Sequence, residues 1–232
     1  MGYDNDNGFT FAGRTEVRNE RGSQDLDQLL TVADLEYTLG AGFTLLGKAR
    51  FGYTRNPAQP ANDLDFSEAS IGLAWRPVNS DRFNALARYT RLTNAPTAFQ
   101  RIEDITEYTS DVFVTDWSLQ VTRNIEWVGK AAFKLREELG DSPLAFSTST
   151  FLSVQRLNLG LPLNLQLGTE YRLLAQKEAD DQRTGWAAEL TWGGIDHVRI
   201  GGGFNFTDFS DNVYSENDYS SYGWYFRLQG KY

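Results

Sequence analysis

From Gly8 onward, large apolar side chains recur at every second position in one stretch after another, with polar or charged residues between them. A period of two puts the two sets on opposite faces of an extended strand, whereas a helix needs a spacing of three to four. Twelve such stretches can be marked. The first, about Gly8 to Arg18, sets Phe9, Phe11, Gly13, Thr15 and Val17 against Thr10, Arg14, Glu16 and Arg18. The second, about Leu29 to Leu39, sets Leu35, Tyr37 and Leu39 against Asp34, Glu36 and Thr38; the third, Phe43 to Arg55, alternates Phe43, Leu45, Phe51 and Tyr53 with Thr44, Lys48 and Arg50. The fourth opposes Ile71, Leu73 and Trp75 to Glu68, Ser70 and Arg76, and the fifth opposes Phe83, Ala85 and Tyr89 to Asn84, Arg88 and Thr90. The sixth carries Phe113, Trp117, Leu119 and Val121 against Asp116, Ser118 and Gln120, and the seventh carries Trp127, Phe133 and Leu135 against Lys130, Lys134 and Arg136. The eighth, about Ser147 to Leu157, has no clear parity, and the side on which Arg156 falls stays open. The ninth sets Leu165, Leu167, Tyr171 and Leu173 against Gln166, Glu170 and Arg172; the tenth sets Trp186, Ala188, Leu190 and Trp192 against Glu189 and Thr191. The eleventh opposes Val198, Ile200, Phe204 and Phe206 to Arg199 and Asn205, and the twelfth, Tyr222 to Tyr232, opposes Trp224, Phe226 and Leu228 to Tyr225, Arg227, Gln229 and Lys231.

The connections alternate in length. Gly40–Gly42, Pro77–Asp81, Arg123–Asn124, Asn158–Pro162 and Gly193–Asp196 are short; the intervening ones, such as Thr93–Asp111 and Asp208–Ser221, are long. Short turns on one rim and long loops on the other describe an up-and-down meander. No linker composition interrupts residues 1–232, so one domain is expected.

Alternation alone does not say which face points outward. The polar face is densely ionic from one end of the chain to the other, and the apolar face mixes large residues with Gly, Ala and Thr, a mixture that lipid accepts more readily than a close-packed core. Aromatics gather where stretches meet the rims: Trp75, Trp127, Trp192 and Tyr232 by the short turns, Trp186 and Trp224 by the long loops. Two such girdles suit two membrane interfaces. The predicted fold class is all-β, a twelve-stranded antiparallel up-and-down transmembrane β-barrel.

The closing stretch YGWYFRLQGKY, which alternates and ends on an aromatic residue, resembles the C-terminal insertion signal of the bacterial outer-membrane β-barrel superfamily. The resemblance extends over nearly the whole chain without identifying a subfamily. It implies residence in the bacterial outer membrane with both termini periplasmic. It also implies contact with outer-membrane lipid and lipopolysaccharide, and insertion by the barrel-assembly machinery. The stretch Ser70 to Leu92 loosely resembles a hairpin in the membrane-embedded ends of large bacterial surface proteins, which leaves open the role of a membrane anchor or translocator.

Composition narrows the chemistry. A net charge of −9 argues against general nucleic-acid binding, which needs a basic footprint. There is no Cys, one His and one Met, so thiolate metal sites and most nucleophile–base schemes lose their usual parts, and no cofactor is expected. No apolar run is long enough for a transmembrane helix, and the mean hydropathy of −0.47 does not bear on a barrel, whose strands are half polar. The start MGYDNDN has no apolar targeting stretch, so an exported form implies a leader already removed.

On this parity the inward face is basic-leaning, with Arg14, Lys48, Arg50, Arg88, Lys130, Lys134, Arg172, Arg199 and Arg227 lining the lumen. A positive excess raises the local concentration of anions, which points to a narrow passive channel for small anionic solutes. In strand number and basic lining this is similar to twelve-stranded porins for acidic sugars. A plugged barrel whose lumen charges neutralise one another is the open alternative. The acidic long loops offer Asp208, Asp211, Glu216 and Asp218 as weak divalent-cation candidates, without EF-hand spacing. Some outer-membrane barrels are phospholipases or proteases that use His, but His197 stands beside a short turn on the rim away from where those families act, so it reads as a turn residue and no catalytic residue is expected.

Overall fold

The computed structural model describes residues 2–5, 8–21, 25–55, 64–95, 107–139, 147–178, 180–195, 197–211 and 219–230. They form thirteen strands: β1 (Gly2–Asn5), β2 (Phe9–Glu20), β3 (Leu26–Gly40), β4 (Phe43–Arg55), β5 (Leu64–Trp75), β6 (Phe83–Ala95), β7 (Glu107–Thr122), β8 (Ile125–Leu139), β9 (Ser147–Leu161), β10 (Leu165–Gln176), β11 (Asp181–Ile195), β12 (Val198–Asp211) and β13 (Tyr219–Gly230). The strands follow one another in chain order in a single sheet. The pairs from β1–β2 to β4–β5 and from β9–β10 to β12–β13 run antiparallel. The twelve predicted strands are β2 to β13. The fold class is thus all-β, an antiparallel up-and-down succession of strands. The short β1, whose four residues give no alternation to read, is additional.

Several strands run further than the alternation does. β7 starts at Glu107 and β12 runs on to Asp211, inside the stretches Thr93–Asp111 and Asp208–Ser221 expected to be loop. Backbone pairing continues there after the apolar face has ended.

The chain divides into two compact units. One comprises Met1–Trp75, Leu86–Phe113 and Lys134–Thr148; the other comprises Arg76–Ala85, Val114–Phe133 and Ser149–Tyr232. In the first, aromatic pairs sit at directly opposed positions on the apolar face: Phe43 with Trp75 at 5.9 Å between ring centroids, and Phe9 with Tyr37 at 6.3 Å. In the second, Tyr171 meets Trp186 at 4.5 Å and Phe204 meets Trp224 at 5.1 Å, again across the register, and Trp117 packs edge-on to Trp127 at 5.6 Å. Such cross-strand aromatic pairs each stabilise a sheet by a fraction of a kcal/mol to about 1 kcal/mol.

Burial runs opposite to that of a water-soluble protein. Val17, Ile71, Trp224, Phe226 and Leu228 are 69, 56, 84, 72 and 67 % exposed, and all stand on the apolar face. Among the described residues the one buried hydrophobic side chain is Val114, and the buried polar ones are Ser110, Asn158 and Glu189; all four stand on the ionic face.

Two of the short turns use backbone that most residues avoid. Gly40, Ala41 and Gly42 have φ of 91, 52 and 82°, and Leu163 and Asn164 have 65 and 59°. Positive φ at both central residues matches the right-handed twist of the flanking strands.

Candidate functional site

The ionic face carries the chemistry, and its charges are answered sideways. In the first unit the register sets Asp34 of β3 opposite Lys48 of β4, with 3.8 Å between them, and Arg50 of β4 opposite Glu68 of β5, at 3.7 Å. Arg14 pairs with Glu16 two residues along β2 at 2.8 Å. These side chains are between one-fifth and four-fifths exposed, so each pair contributes about 0–1 kcal/mol to stability while fixing where the charges point.

In the second unit the contacts join into a line. Lys130 of β8 lies 3.7 Å from Asp116 of β7. Ser118 of β7 donates to Glu126 Oε1 of β8 at 2.9 Å, and Asn158 of β9 donates to Glu126 Oε2 at 3.0 Å. Arg156 donates through Nε to Asn158 Oδ1 at 2.8 Å and approaches Glu170 of β10 to 3.7 Å; Arg172 donates to the other oxygen of Glu170 at 2.5 Å. Arg156, whose side the sequence left open, is therefore on the ionic face. Its neighbour Gln155 is on the apolar face, where Trp127 Nε1 donates to its amide oxygen at 2.8 Å. Glu126 was absent from the residues singled out in the sequence. It sits two residues past the Arg123–Asn124 turn, and only its parity with Lys130 marks it.

The most enclosed ionic group among the described residues is Glu189 of β11, only 4 % exposed. It is reached from β13, two strands away. Tyr225 donates its hydroxyl to Glu189 Oε2 at 2.7 Å, and Arg227 lies 3.0 Å from the same oxygen. The intervening β12 presents Gly203 directly between Glu189 and Tyr225, and Gly201 opposite Arg227. A Cβ on Gly203 would stand 2.5 Å from Tyr225 Cζ and 2.7 Å from the Ala188 carbonyl oxygen, so only glycine leaves room for the ring to cross. An aromatic ring laid over a strand glycine covers backbone that would otherwise lack packing. Glu189 Oε1 has no hydrogen-bond partner among the described residues.

Of the nine predicted lumen cations, Arg14, Lys48, Arg50, Lys130, Arg172 and Arg227 are ion-paired. Arg88, Lys134 and Arg199 form no ion pair among the described residues. Among the predicted rim aromatics, Trp75, Trp127, Trp186, Trp192 and Trp224 all stand on the apolar face. Tyr232 lies outside the described residues.

The cation candidates Glu216 and Asp218 also lie outside the described residues, as does the side chain of Asp211; among the described residues no group of acids converges on a metal position. His197 occupies the turn between β11 and β12 at φ 66° and is exposed. Beyond the strands, Glu178 in the β10–β11 connection takes hydrogen bonds from the Ser149 backbone N–H at 2.5 Å and from the Ser149 hydroxyl at 2.7 Å. The backbone bond first, and the hydroxyl after it, hold the Glu178 carboxyl below the usual carboxylate range.

No family model matches the chain, and no curated protein matches it. Solved structures with a similar chain path include OmpT, an outer membrane protein of Vibrio cholerae folded in vitro, in its trimer form: 9 % identity over 95 % of this chain and 92 % of that one, with a TM-score of 0.45. The β domain of the Bordetella autotransporter BrkA aligns at 10 % identity over 97 % of each chain, TM-score 0.32. The translocator domain of the autotransporter NalP from Neisseria meningitidis aligns at 11 % identity over 97 % of this chain and 87 % of that one, TM-score 0.31. At these values the functional reading rests on the residues of this chain.

Proposed function

We propose that the chain is an integral outer-membrane β-barrel whose ionic face surrounds a narrow passage for small solutes, with a lean toward anions. The observation that carries this is the reversed burial: the apolar side chains of successive strands are exposed, while the buried polar groups belong to the opposite face. An apolar surface of that extent is tolerated in lipid and drives association in water. The anionic lean comes from Arg88, Lys134 and Arg199, three cations of that face with no ion pair among the described residues, against two such acids, Glu36 and Glu126. In the membrane the rim aromatics meet the lipid headgroups, lipopolysaccharide among them, the short-turn rim faces the periplasm, and the alternating β13 serves as the segment read by the assembly machinery.

Planar-bilayer recording with a salt gradient tests it. Discrete conductance steps with a reversal potential on the anion side are expected. The triple variant Arg88→Gln, Lys134→Gln, Arg199→Gln should move that potential to zero or beyond. A cation preference in the unaltered protein overturns the lean.

The extent of the lateral pairing, which engages six of the nine lumen cations, favours a second reading, a barrel that serves only as membrane anchor or translocator for another segment. A bilayer that stays silent while the protein is shown inserted would select it.

A further inference from the structure

We propose that the ionic face of the first unit holds a subsite for a small zwitterion, a solute carrying one carboxylate and one ammonium group. This deepens the channel reading and rests on the same face being wet.

The register of β2 to β5 lays out two adjacent cross-strand rows. Thr10, Glu36, Leu46 and Gly72 form one; Ala12, Asp34, Lys48 and Ser70 form the next. Between them opens a hollow of about 320 Å³, the lower end of the range that small-molecule sites occupy. Gly72 makes the hollow possible. It has no side chain, and Arg88 lies against it from β6, with its Cβ and Cγ 3.6 and 3.7 Å from where a Gly72 Cβ would stand.

The charges around the hollow balance. Asp34 and Lys48 answer each other at 3.8 Å. Glu36 and Arg88 also line it, and among the described residues neither forms an ion pair. One unanswered anion and one unanswered cation at a shared hollow suit a dipolar solute better than a plain anion. A simple anion would gain Arg88 but meet Glu36 at a cost, and a simple cation the reverse. The Arg88 guanidinium matches a carboxylate in a two-point contact, Glu36 accepts from an ammonium, and the Ser70 hydroxyl can serve either partner.

The test uses three probes with one skeleton: glycylglycine as the zwitterion, N-acetylglycylglycine as the anion and glycylglycine amide as the cation. Each is titrated calorimetrically into the folded protein in detergent micelles at neutral pH. One lost charge-assisted contact corresponds to about tenfold or more in Kd, so glycylglycine should bind at least about tenfold more tightly than either relative. Arg88→Gln should bring glycylglycine down to the level of the amide, and Glu36→Gln should bring it down to the level of the acetylated peptide. Far-UV circular dichroism checks that both variants stay folded. Equal affinity for all three probes, tighter binding of the anion, or no binding by the folded protein would overturn the subsite. Because no current is read, a conducting barrel that ignores glycylglycine sinks the subsite alone, and a silent barrel that binds it sinks the channel alone.

Discussion

Gly203→Ala should cost far more than an alanine for glycine usually does. At an ordinary strand position the change is neutral or mildly favourable, because the unfolded chain loses freedom. Here the new methyl would stand 2.5 Å from Tyr225 Cζ, 2.6 Å from its hydroxyl oxygen and 2.7 Å from the Ala188 carbonyl oxygen. The ring can swing aside; the carbonyl, part of the sheet, cannot. Once displaced, Tyr225 gives up its 2.7 Å bond to Glu189, a buried carboxylate that already has one oxygen without a partner. A hydrogen bond to a charged acceptor is worth about 1.5–3 kcal/mol, and overpacking adds about 1–3 kcal/mol. With partial relaxation, a loss of about 3 kcal/mol is expected. Urea unfolding from lipid vesicles, followed by tryptophan fluorescence, measures it. Tyr225→Phe should lose only the hydrogen-bond share, and the double variant should fall short of the sum by about 1 kcal/mol or more, since both changes remove the same contact. Gly202→Ala is the control: its added Cβ faces the apolar side and meets nothing closer than the Tyr225 carbonyl oxygen at 4.0 Å. If Gly203→Ala lies within about 0.5 kcal/mol of Gly202→Ala, the ring-over-glycine account is wrong.

Two further outcomes are expected. Glu178 is held below its ordinary pKa in the folded state, so its contribution to stability is present above that ordinary value, near 4.5, and is lost as pH falls through the folded value. The urea midpoint should therefore drop on acidification below about pH 4.5, and Glu178→Gln should flatten that drop; identical pH profiles for the two proteins would count against it. Leu163 is 81 % exposed with φ 65°, a conformation that costs a bulky residue about 1–2 kcal/mol and asparagine much less, so Leu163→Asn should stabilise by about 1 kcal/mol in the same urea assay.

The strands were legible because apolar and ionic residues alternate with few lapses. Where the alternation lapses, the reading lapsed with it. β9 carries Ser153 and Gln155 on its apolar face and Leu152 and Val154 on its ionic face, so no parity could be chosen; the structure fixes it through Trp127 with Gln155 and Arg156 with Glu170. The early start of β7 at Glu107 was hidden for a different reason: once neither face is apolar, a paired strand and a polar loop look alike in sequence. For the site, the charged positions could be named but their pairing could not. A sequence shows that Glu189, Gly203 and Tyr225 share a parity; only the register shows that they form one row, with the glycine in the middle. That Lys48 would meet Asp34, Arg50 would meet Glu68 and Arg156 would meet Glu170 likewise follows from register.

The lateral ionic contacts have a bearing on how the sheet finds its alignment. A slip of one residue between neighbouring strands turns every greasy side chain to the wrong side and is rejected at once. A slip of two residues keeps every side chain on its proper side, so the apolar face does not tell it from the true alignment. Moving β10 by two against β9 would bring Glu170 opposite Val154 or Asn158 in place of Arg156. Moving β13 by two against β12 would drive Tyr225 onto Gly201 or into Asn205. The ion pairs, individually weak, are thus the marks by which even-numbered misalignments are told from the true one.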